Sequence, residues 1–197
     1  MTRTTAALFS VVALCFILIP PQAEAAVTVG EKVTEFSLVD VRTGKEVALN
    51  QVTGTNGVAL IFVATQCPYS NAFNQVMADL AKEYRAKGIA VVGINANTTE
   101  PAEDVKQHAE SKGLDFTVLK DDGEVAGQFG ATRTPEVFVL DKEMVVRYHG
   151  AIGNSKIPTT NAAQAKADDL RPALDAVATG SPVQVAETKA FGCMIKR

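Results

Sequence analysis

Cys67 is the residue whose position in this sequence most clearly favours chemistry. It follows the apolar run of residues 57–64 and precedes Pro68, a residue well suited to the first position of a helix. Amide groups in the first turn of a helix lack backbone partners and carry partial positive charge. A cysteine placed there is biased toward the nucleophilic thiolate, and its pKa can fall from ~8.5 to roughly 3.5–7.5. The alternative is that Cys67 is a small buried hydrophobic side chain.

The first 25 residues have the pattern of a secretory signal peptide rather than of folded structure. One basic residue precedes an apolar stretch over residues 6–19, two prolines follow, and Ala23-Glu24-Ala25 offers a cleavage site. The alternative, an uncleaved membrane anchor, is disfavoured because a span needs about 20 apolar residues. We therefore predict a periplasmic or secreted protein that does not associate with a membrane after cleavage near Ala25.

Two cysteines, Cys67 and Cys193, remain once the predicted signal peptide removes Cys15. An even pair in an exported chain is typical of a disulfide. The long separation in sequence is no obstacle, because the cost of closing a loop grows by only about 0.6 kcal/mol per doubling of its length. As a purely structural bond, such a disulfide stabilises the fold by roughly 4–5 kcal/mol in the chain-entropy model.

Composition limits the possible functions of the chain. It has 197 residues, 47% of them hydrophobic and 21% charged, which suits one globular domain. The net charge of −3 argues against a nucleic-acid partner. His108 and His149 are far apart, and the cysteines and histidines lack zinc spacing, so we predict neither a metal nor a cofactor. We predict a domain over residues 29–180 and a tail over residues 181–197 that carries Cys193.

Periodicity predicts alternating strands and helices. The apolar runs of residues 57–64 and 89–95 are typical of strands buried on both faces. Residues 68–87 carry apolar side chains at helical spacing. Further strands are predicted over 34–39, 116–119, 136–141 and 144–149, the last two as a hairpin, and further helices over 101–112, 123–129 and 162–178. This order indicates an α/β fold with a central mixed β-sheet flanked by helices.

This order of elements resembles the thioredoxin-like fold, and more closely its peroxiredoxin-like branch, the relatives of alkyl hydroperoxide reductase and thiol-specific antioxidant protein. The resemblance spans about residues 30–196. The ending Gly-Cys-x-Ile-Lys resembles that of one bacterial subgroup. The matching segments are Phe36-Ser37-Leu38, residues 62–69, Lys82-Glu83-Tyr84, residues 88–92, Thr134-Pro135, residues 138–141 and residues 183–196.

The sequence departs from this subgroup at one chemically important position. Members often contain Cys-x-x-Cys-Pro, whereas Ala64 replaces the first cysteine here, so the local dithiol that thioredoxins use cannot form. The remaining Ala-Thr-Gln-Cys resembles the Thr-x-x-Cys of peroxiredoxins, although Thr65 lies two residues before Cys67 rather than three. Glutathione peroxidases are similar at this point, but they usually rely on a tryptophan and this chain has none.

The resemblance implies a peroxidatic role for Cys67. A thiolate attacks a peroxide O–O bond, becomes a sulfenic acid, and then condenses with a second thiol. Cys193 is the remaining candidate for that second, resolving thiol. Two alternatives stay open: a Cys67–Cys193 bond that is only a structural staple, and a Cys193 that never reaches Cys67.

The resemblance also implies a substrate groove beside the thiol. Thr134-Pro135 matches the loop that carries a cis proline in thioredoxin-like proteins, where it shapes the groove and exposes backbone groups for pairing. The alternative is an ordinary trans proline at the start of a strand. Arg133 is positioned to lend positive charge to Cys67 and lower its pKa, or else is a solvated surface residue.

Thr65 and Gln66 complete the predicted substrate-binding residues. Their side chains can hydrogen-bond a bound peroxide or the Cys67 thiolate. The alternative is that both are turn residues between the strand and the helix.

Three functions are compatible with these features. The first is an exported peroxiredoxin-like peroxidase that takes a peroxide substrate and an external thiol reductant. The second is a thiol–disulfide oxidoreductase that acts on protein disulfides. The third is a binding module that keeps the fold without turnover, an option that the missing Cys-x-x-Cys strengthens. The sequence does not indicate an oligomeric state.

Overall fold

The computed structural model describes residues 26–197, so the predicted signal peptide lies outside the described residues. A mixed sheet of seven strands forms the centre of the molecule. A two-stranded sheet lies beside it and includes the end of the chain. The strands are β1 (Ser37–Asp40), β2 (Glu46–Ala48), β3 (Gly57–Phe62), β4 (Ile89–Asn95), β5 (Thr117–Lys120), β6 (Arg133–Thr134), β7 (Glu136–Asp141), β8 (Val146–Gly150) and β9 (Cys193–Met194).

The large sheet has the order β2-β1-β5-β4-β3-β7-β8, and the small one pairs β6 with β9. Strand β4 runs parallel to β3 and β5, while β3 with β7 and β7 with β8 are antiparallel. The predicted central mixed sheet is therefore confirmed. Because β3 lies in the middle of the sheet, every residue in it is buried, as its apolar run predicts.

Helices cover both faces of the sheet and are amphipathic toward it. Along β3, Ile61 faces one apolar core and Phe62 the other, because side chains alternate across a strand. Helices α3, α4 and α6 contribute to the first core, and α1 and α5 to the second. No helix within residues 26–197 has the length and apolar character needed to span a membrane. The helices are α1 (Leu49–Val52), α2 (Pro68–Ala72), α3 (Asn74–Arg85), α4 (Ala102–Ser111), α5 (Glu124–Phe129) and α6 (Leu170–Thr179).

Two helix predictions need correction. The helix predicted over residues 68–87 is divided into α2 and α3 at Phe73, whose φ and ψ of −97° and 2° leave the helical region. The helix predicted over 162–178 was wrong in its first half, where only a short 3₁₀ turn (Ala162–Gln164) forms.

The reason for the second error is a loop that packs against residues 166–170. The carboxylate of Asp168 accepts the Asn154 amide at 2.7 Å, and that of Asp169 accepts the Ser155 amide at 3.0 Å. The Leu170 amide donates to the Ile152 carbonyl at 2.9 Å. These bonds outcompete helical ones, so the α-helix begins only at Leu170.

The tail over residues 181–197 packs along the domain as part of the fold. Near β8, the amide of His149 donates to the Ala186 carbonyl at 2.9 Å, and the amide of Thr188 donates to the His149 carbonyl at 3.0 Å. The Phe191 ring then packs edge-on against Tyr69, with centroids 5.7 Å apart. This contact joins the tail to helix α2, which begins directly after Cys67.

The last residues of the tail are held on the far side of β6. Ile195 is 9% exposed in the second apolar core, and its amide donates to the Thr132 carbonyl at 2.9 Å. The amide of Lys196 donates to the Asn97 side chain at 2.8 Å. The Arg197 guanidinium donates to the carbonyls of Ala126 and Ala131. Strand β9 is thus fixed between Phe191 on one side and Ile195 on the other.

Gly192 permits the close approach of the tail to β6. Its φ of +136° favours glycine, and a Cβ atom would overlap the carbonyl oxygen of Thr134.

We predict that Gly192→Ala separates β9 from β6 and lowers the hydrogen-exchange protection of the Ile195 and Lys196 amides by about tenfold or more. Gly180→Ala is the matched control, since Gly180 also has positive φ but has open space around it. Unchanged protection in Gly192→Ala would contradict this account of the docking.

Candidate active site

Cys67 lies at the N-terminus of helix α2, where its sulfur accepts the Ser70 amide at 3.4 Å. On the other side, its thiol donates to the Thr134 carbonyl oxygen at 3.1 Å. The residue is buried, with 2% of its surface exposed. The predicted contact between the thiol and a helix amide is therefore present, although the sulfur is less accessible than the sequence suggests.

The environment of Cys67 favours its thiolate. Burial acts to raise the pKa of the thiol, but hydrogen bonds from the Cys193 thiol and the Ser70 amide overcome it, so the pKa lies below its ordinary value. The Thr134 hydroxyl and the Cys193 amide lower the pKa of Cys67 further. Within the described part of the chain this buried hydroxyl has no hydrogen-bond partner, so it is available to the thiolate.

Cys193 is the second sulfur of the site. Strand β9 places it, half-buried, opposite Thr134 in the β6–β9 pair, and the carbonyl of Thr134 accepts the Cys67 thiol. Burial and donation to Cys67 raise the pKa of Cys193 to about 11. Both cysteines are free thiols in this structure. The two shifts are opposite because a single proton, held on Cys193, stabilises the Cys67 thiolate.

A buried glutamate fixes the loop before Cys67. Glu100 is 3% exposed, and its carboxylate accepts the amides of Thr65 at 2.8 Å and Gln66 at 3.2 Å. The side chain of Asn95, at the end of β4, donates to the same carboxylate at 2.6 Å. Burial acts to raise the pKa of Glu100, but these donors outweigh it and hold that pKa below its ordinary value.

A second buried glutamate fixes the loop that carries β6. The Glu136 carboxylate accepts the amides of Thr132 at 2.8 Å and Arg133 at 3.0 Å. Its other oxygen lies 2.7 Å from the imidazole of His149, whose ring stacks on Phe138. Burial acts against ionisation here too, but the donors keep the pKa of Glu136 below its ordinary value. Each of the two loops that flank the thiol is thus held by an ionised, buried carboxylate.

Among the predicted substrate-binding residues, Thr134 contacts the sulfur of Cys67, and the contacts of the others differ from expectation. The amides of Thr65 and Gln66 bind Glu100 rather than the sulfur, and the Gln66 residue is exposed. The Arg133 guanidinium donates to the Gly192 carbonyl at 3.2 Å, and Arg133 is not among the groups that lower the pKa of Cys67. It therefore attaches the tail instead of activating the thiol.

The Thr134-Pro135 peptide is cis, as the resemblance implies. It lies directly beside the sulfur, because the Thr134 carbonyl accepts the thiol of Cys67. The edge of β6 that this loop exposes is occupied by the protein's own tail through the Thr134–Cys193 pair.

Glu100, Glu136 and the aromatic contact of Phe191 are not among the predicted site features. One signal was available for Glu100: it lies just beyond the carboxyl end of β4, beside the carboxyl end of the parallel strand β3 that leads to Cys67. Functional groups meet at that edge of parallel strands. Phe191 has no comparable local signal, because its partner Tyr69 lies far away in the sequence. Glu136 accepts amides only three and four residues before it, and its imidazole partner, His149, is 13 residues away.

The family model for the AhpC/TSA family matches residues 29–149, more than half of the chain. The chain belongs to this family. The match includes Cys67 and the cis proline and ends before the tail, so the resemblance of the Gly-Cys-x-Ile-Lys ending to a bacterial subgroup remains a prediction.

Related proteins extend the comparison. The chain is 30% identical over 116 residues to "Thiol-disulfide oxidoreductase ResA" of Bacillus thuringiensis (strain Al Hakam), a match that covers 58% of this chain and 65% of the relative. That share is less than two thirds of the relative's length. An uncharacterized conserved protein from Geobacillus kaustophilus superposes with a TM-score of 0.80 at 30% identity and covers 86% of this chain and 92% of its own. Peroxidoxin BcpB from Mycobacterium tuberculosis has a TM-score of 0.54 at 29% identity, covering 60% and 82%.

We predict that the two thiols of the reduced protein titrate separately. Thiolate absorbance in the ultraviolet should rise in two steps, the first below the ordinary pKa of a cysteine thiol and the second near pH 11. Cys193→Ala should move the first step to higher pH, because Cys67 loses a hydrogen bond to its thiolate. A single step at the ordinary pKa in both proteins would contradict the proposed thiol contact.

We predict that Glu100→Gln lowers the free energy of unfolding by about 2 kcal/mol at pH 7, because hydrogen bonds to a buried charge are lost. Folding lowers the pKa of Glu100, so its carboxylate stabilises the fold at pH values above its unfolded pKa of ~4.3. This stabilisation is lost as the pH falls through the pKa of the folded protein. The difference in the free energy of unfolding between Glu100→Gln and wild type, measured with denaturant, should therefore become smaller in acid. Glu110→Gln on the exposed face of α4 is the control, with a change within about 0.5 kcal/mol. A loss of stability that is equal at all pH values would contradict the role of an ionised Glu100 in holding this loop.

Proposed function

We propose that this protein is an exported thiol–disulfide oxidoreductase whose redox pair is Cys67 and Cys193. The observation that carries the proposal is the position of Cys193: strand β9 pairs it with Thr134, whose carbonyl accepts the Cys67 thiol at 3.1 Å. In the sequence, Ala64 removes the usual first cysteine of a Cys-x-x-Cys pair. The tail supplies a replacement from the opposite end of the chain, so a dithiol is present without the motif.

The chemistry of this pair is exchange with a protein partner. Formation of the Cys67–Cys193 disulfide removes two electrons and two protons from the site, and a partner dithiol or disulfide gives or takes them. The name of the ResA relatives supports this proposal, since those proteins are named thiol–disulfide oxidoreductases. Protein disulfides and an external thiol are the partners that we propose, and the signal-peptide pattern supports exchange in a periplasmic or secreted location.

Peroxide reduction, the function that the sequence resemblance favours, is the second candidate. Membership of the AhpC/TSA family and the likeness to peroxidoxin BcpB support it at the level of the family. The contacts of Cys67 favour it less: the sulfur is 2% exposed, and no arginine or lysine is among the groups that lower its pKa. We therefore place disulfide exchange first.

Activity measurements on the mature protein separate these candidates. We predict that it accelerates insulin reduction by dithiothreitol, and that Cys67→Ser and Cys193→Ser each reduce the rate by about tenfold or more, since exchange needs both sulfurs. Peroxide consumption should remain slow in all three proteins. Rapid peroxide consumption that needs Cys67, with no insulin reduction, would favour the peroxidase.

A gain-of-function control tests the role of the tail cysteine. Ala64→Cys, introduced into Cys193→Ser, restores the Cys-x-x-Cys spacing with Cys67. We predict that this double variant again forms an intramolecular disulfide in oxidising glutathione buffer, seen as a mass loss of two hydrogens, because a thiol beside Cys67 is what the single variant lacks. Full activity in Cys193→Ser alone would contradict the assigned pair.

A further inference from the structure

The tail closes the direct route to Cys67. Strand β9 pairs with β6 at Thr134, directly beside the Cys67 thiol. Without β9, the backbone of Thr134 would form a free strand edge there. Gly192 packs against the Thr134 carbonyl, and Phe191 packs between the rings of Tyr69 and Phe73. A partner segment cannot pair with this edge while the tail is docked. The chain itself occupies the groove that a partner would use.

The route to Cys193 is open by comparison. Cys193 is only half-buried, and the neighbouring Met194 is 71% exposed. Hydrogen bonds alternate along an antiparallel pair, and the Ile195 amide bonds to the Thr132 carbonyl. The peptide groups of Met194, one residue away, therefore face away from β6. The Arg133 residue opposite Met194 agrees with this, because its amide donates to Glu136 and not to β9. Partner segments have access to this outer side of β9.

We propose that partners exchange disulfides at the sulfur of Cys193, so that the mixed disulfide forms on the tail and Cys67 is the leaving group. This inference rests on the proposed function. It reverses the roles expected from the sequence, in which Cys67 at the start of a helix is the sulfur that meets the substrate.

The exchange proceeds in two balanced steps. A partner thiolate attacks Cys193, a partner–Cys193 disulfide forms, the Cys67–Cys193 bond breaks, and its electron pair stays on Cys67 as thiolate. A second thiolate of the same partner then attacks the partner's sulfur in the mixed disulfide. The partner leaves with an internal disulfide, and Cys193 takes up a proton. The partner dithiol has lost two electrons and the protein pair has gained them.

The hydrogen bonds around Cys67 suit this leaving role. The sulfur accepts the Ser70 amide and lies beside the unpartnered Thr134 hydroxyl, so negative charge is stabilised where the electron pair arrives. The pKa of Cys193 is raised instead, which makes it the poorer leaving group. Because the thiol with the lower pKa departs faster, attack at Cys193 is favoured over attack at Cys67.

A trapping experiment with glutathione tests the assignment on the mature wild-type protein. The protein is oxidised, formation of the disulfide is checked by a mass loss of two hydrogens, and reduced glutathione is added. Early samples are quenched in acid, free thiols are blocked with N-ethylmaleimide, and peptides are analysed by mass spectrometry. We expect glutathione on Cys193 and maleimide on Cys67, in about tenfold or greater excess over the reverse pattern.

The outcomes distinguish this inference from the proposed function. Glutathione mainly on Cys67, or equally on both cysteines, overturns the inference and leaves the oxidoreductase intact. Failure to form the disulfide overturns both.

Two variants test the tail as the barrier. Reduced Cys193→Ser should react slowly with glutathione disulfide, and adding Gly192→Ala, which displaces β9, should speed that reaction by about tenfold or more. Equal rates in the two variants would contradict the barrier.

Discussion

The site depends on the docking of a two-residue strand at the end of the chain. Pairing of β9 with β6 brings Cys193 to Cys67, and the approach requires a glycine at position 192. Ile195 and Phe191 bury apolar surface on either side of the pair. Burial of this kind contributes about 25 cal/mol per Å² of apolar area, so these anchors act against the entropy lost when the tail is ordered. The redox pair is therefore a product of tertiary packing rather than of a local motif.

The loops on either side of the thiol are fixed by charge. Glu100 and Glu136 each accept two consecutive backbone amides, and each stays ionised although it is buried. A carboxylate removed from water is costly unless donors surround it, so the loops and the glutamates stabilise each other. The backbone amides of the loop before Cys67 already donate to Glu100. The Cys67 sulfur therefore interacts with the Ser70 amide and with Cys193 instead. This arrangement gives the two thiols different pKa values.

Much of the fold follows from local patterns in the sequence. The runs over 57–64 and 89–95 predict central strands, and Pro68 after Cys67 predicts the helix start, because both depend on neighbouring residues. The pairing of β9 with β6 could not be predicted, since the two strands lie far apart in the chain. The order of the parallel strands places Glu100 near the loop before Cys67, but its individual amide contacts need the folded structure. The helix expected over 162–178 fails for the same reason: the loop over residues 152–155 takes the hydrogen bonds of its first half.

The central claim is that the tail supplies the second member of a redox dithiol. The most direct test equilibrates the mature protein in buffers of reduced and oxidised glutathione, blocks the free thiols, and measures the fraction of the peptide that links Cys67 to Cys193. We predict a reversible, two-electron transition between two free thiols and one intramolecular disulfide. Two cysteines that stay free, or that link only between molecules, under oxidising conditions would contradict it.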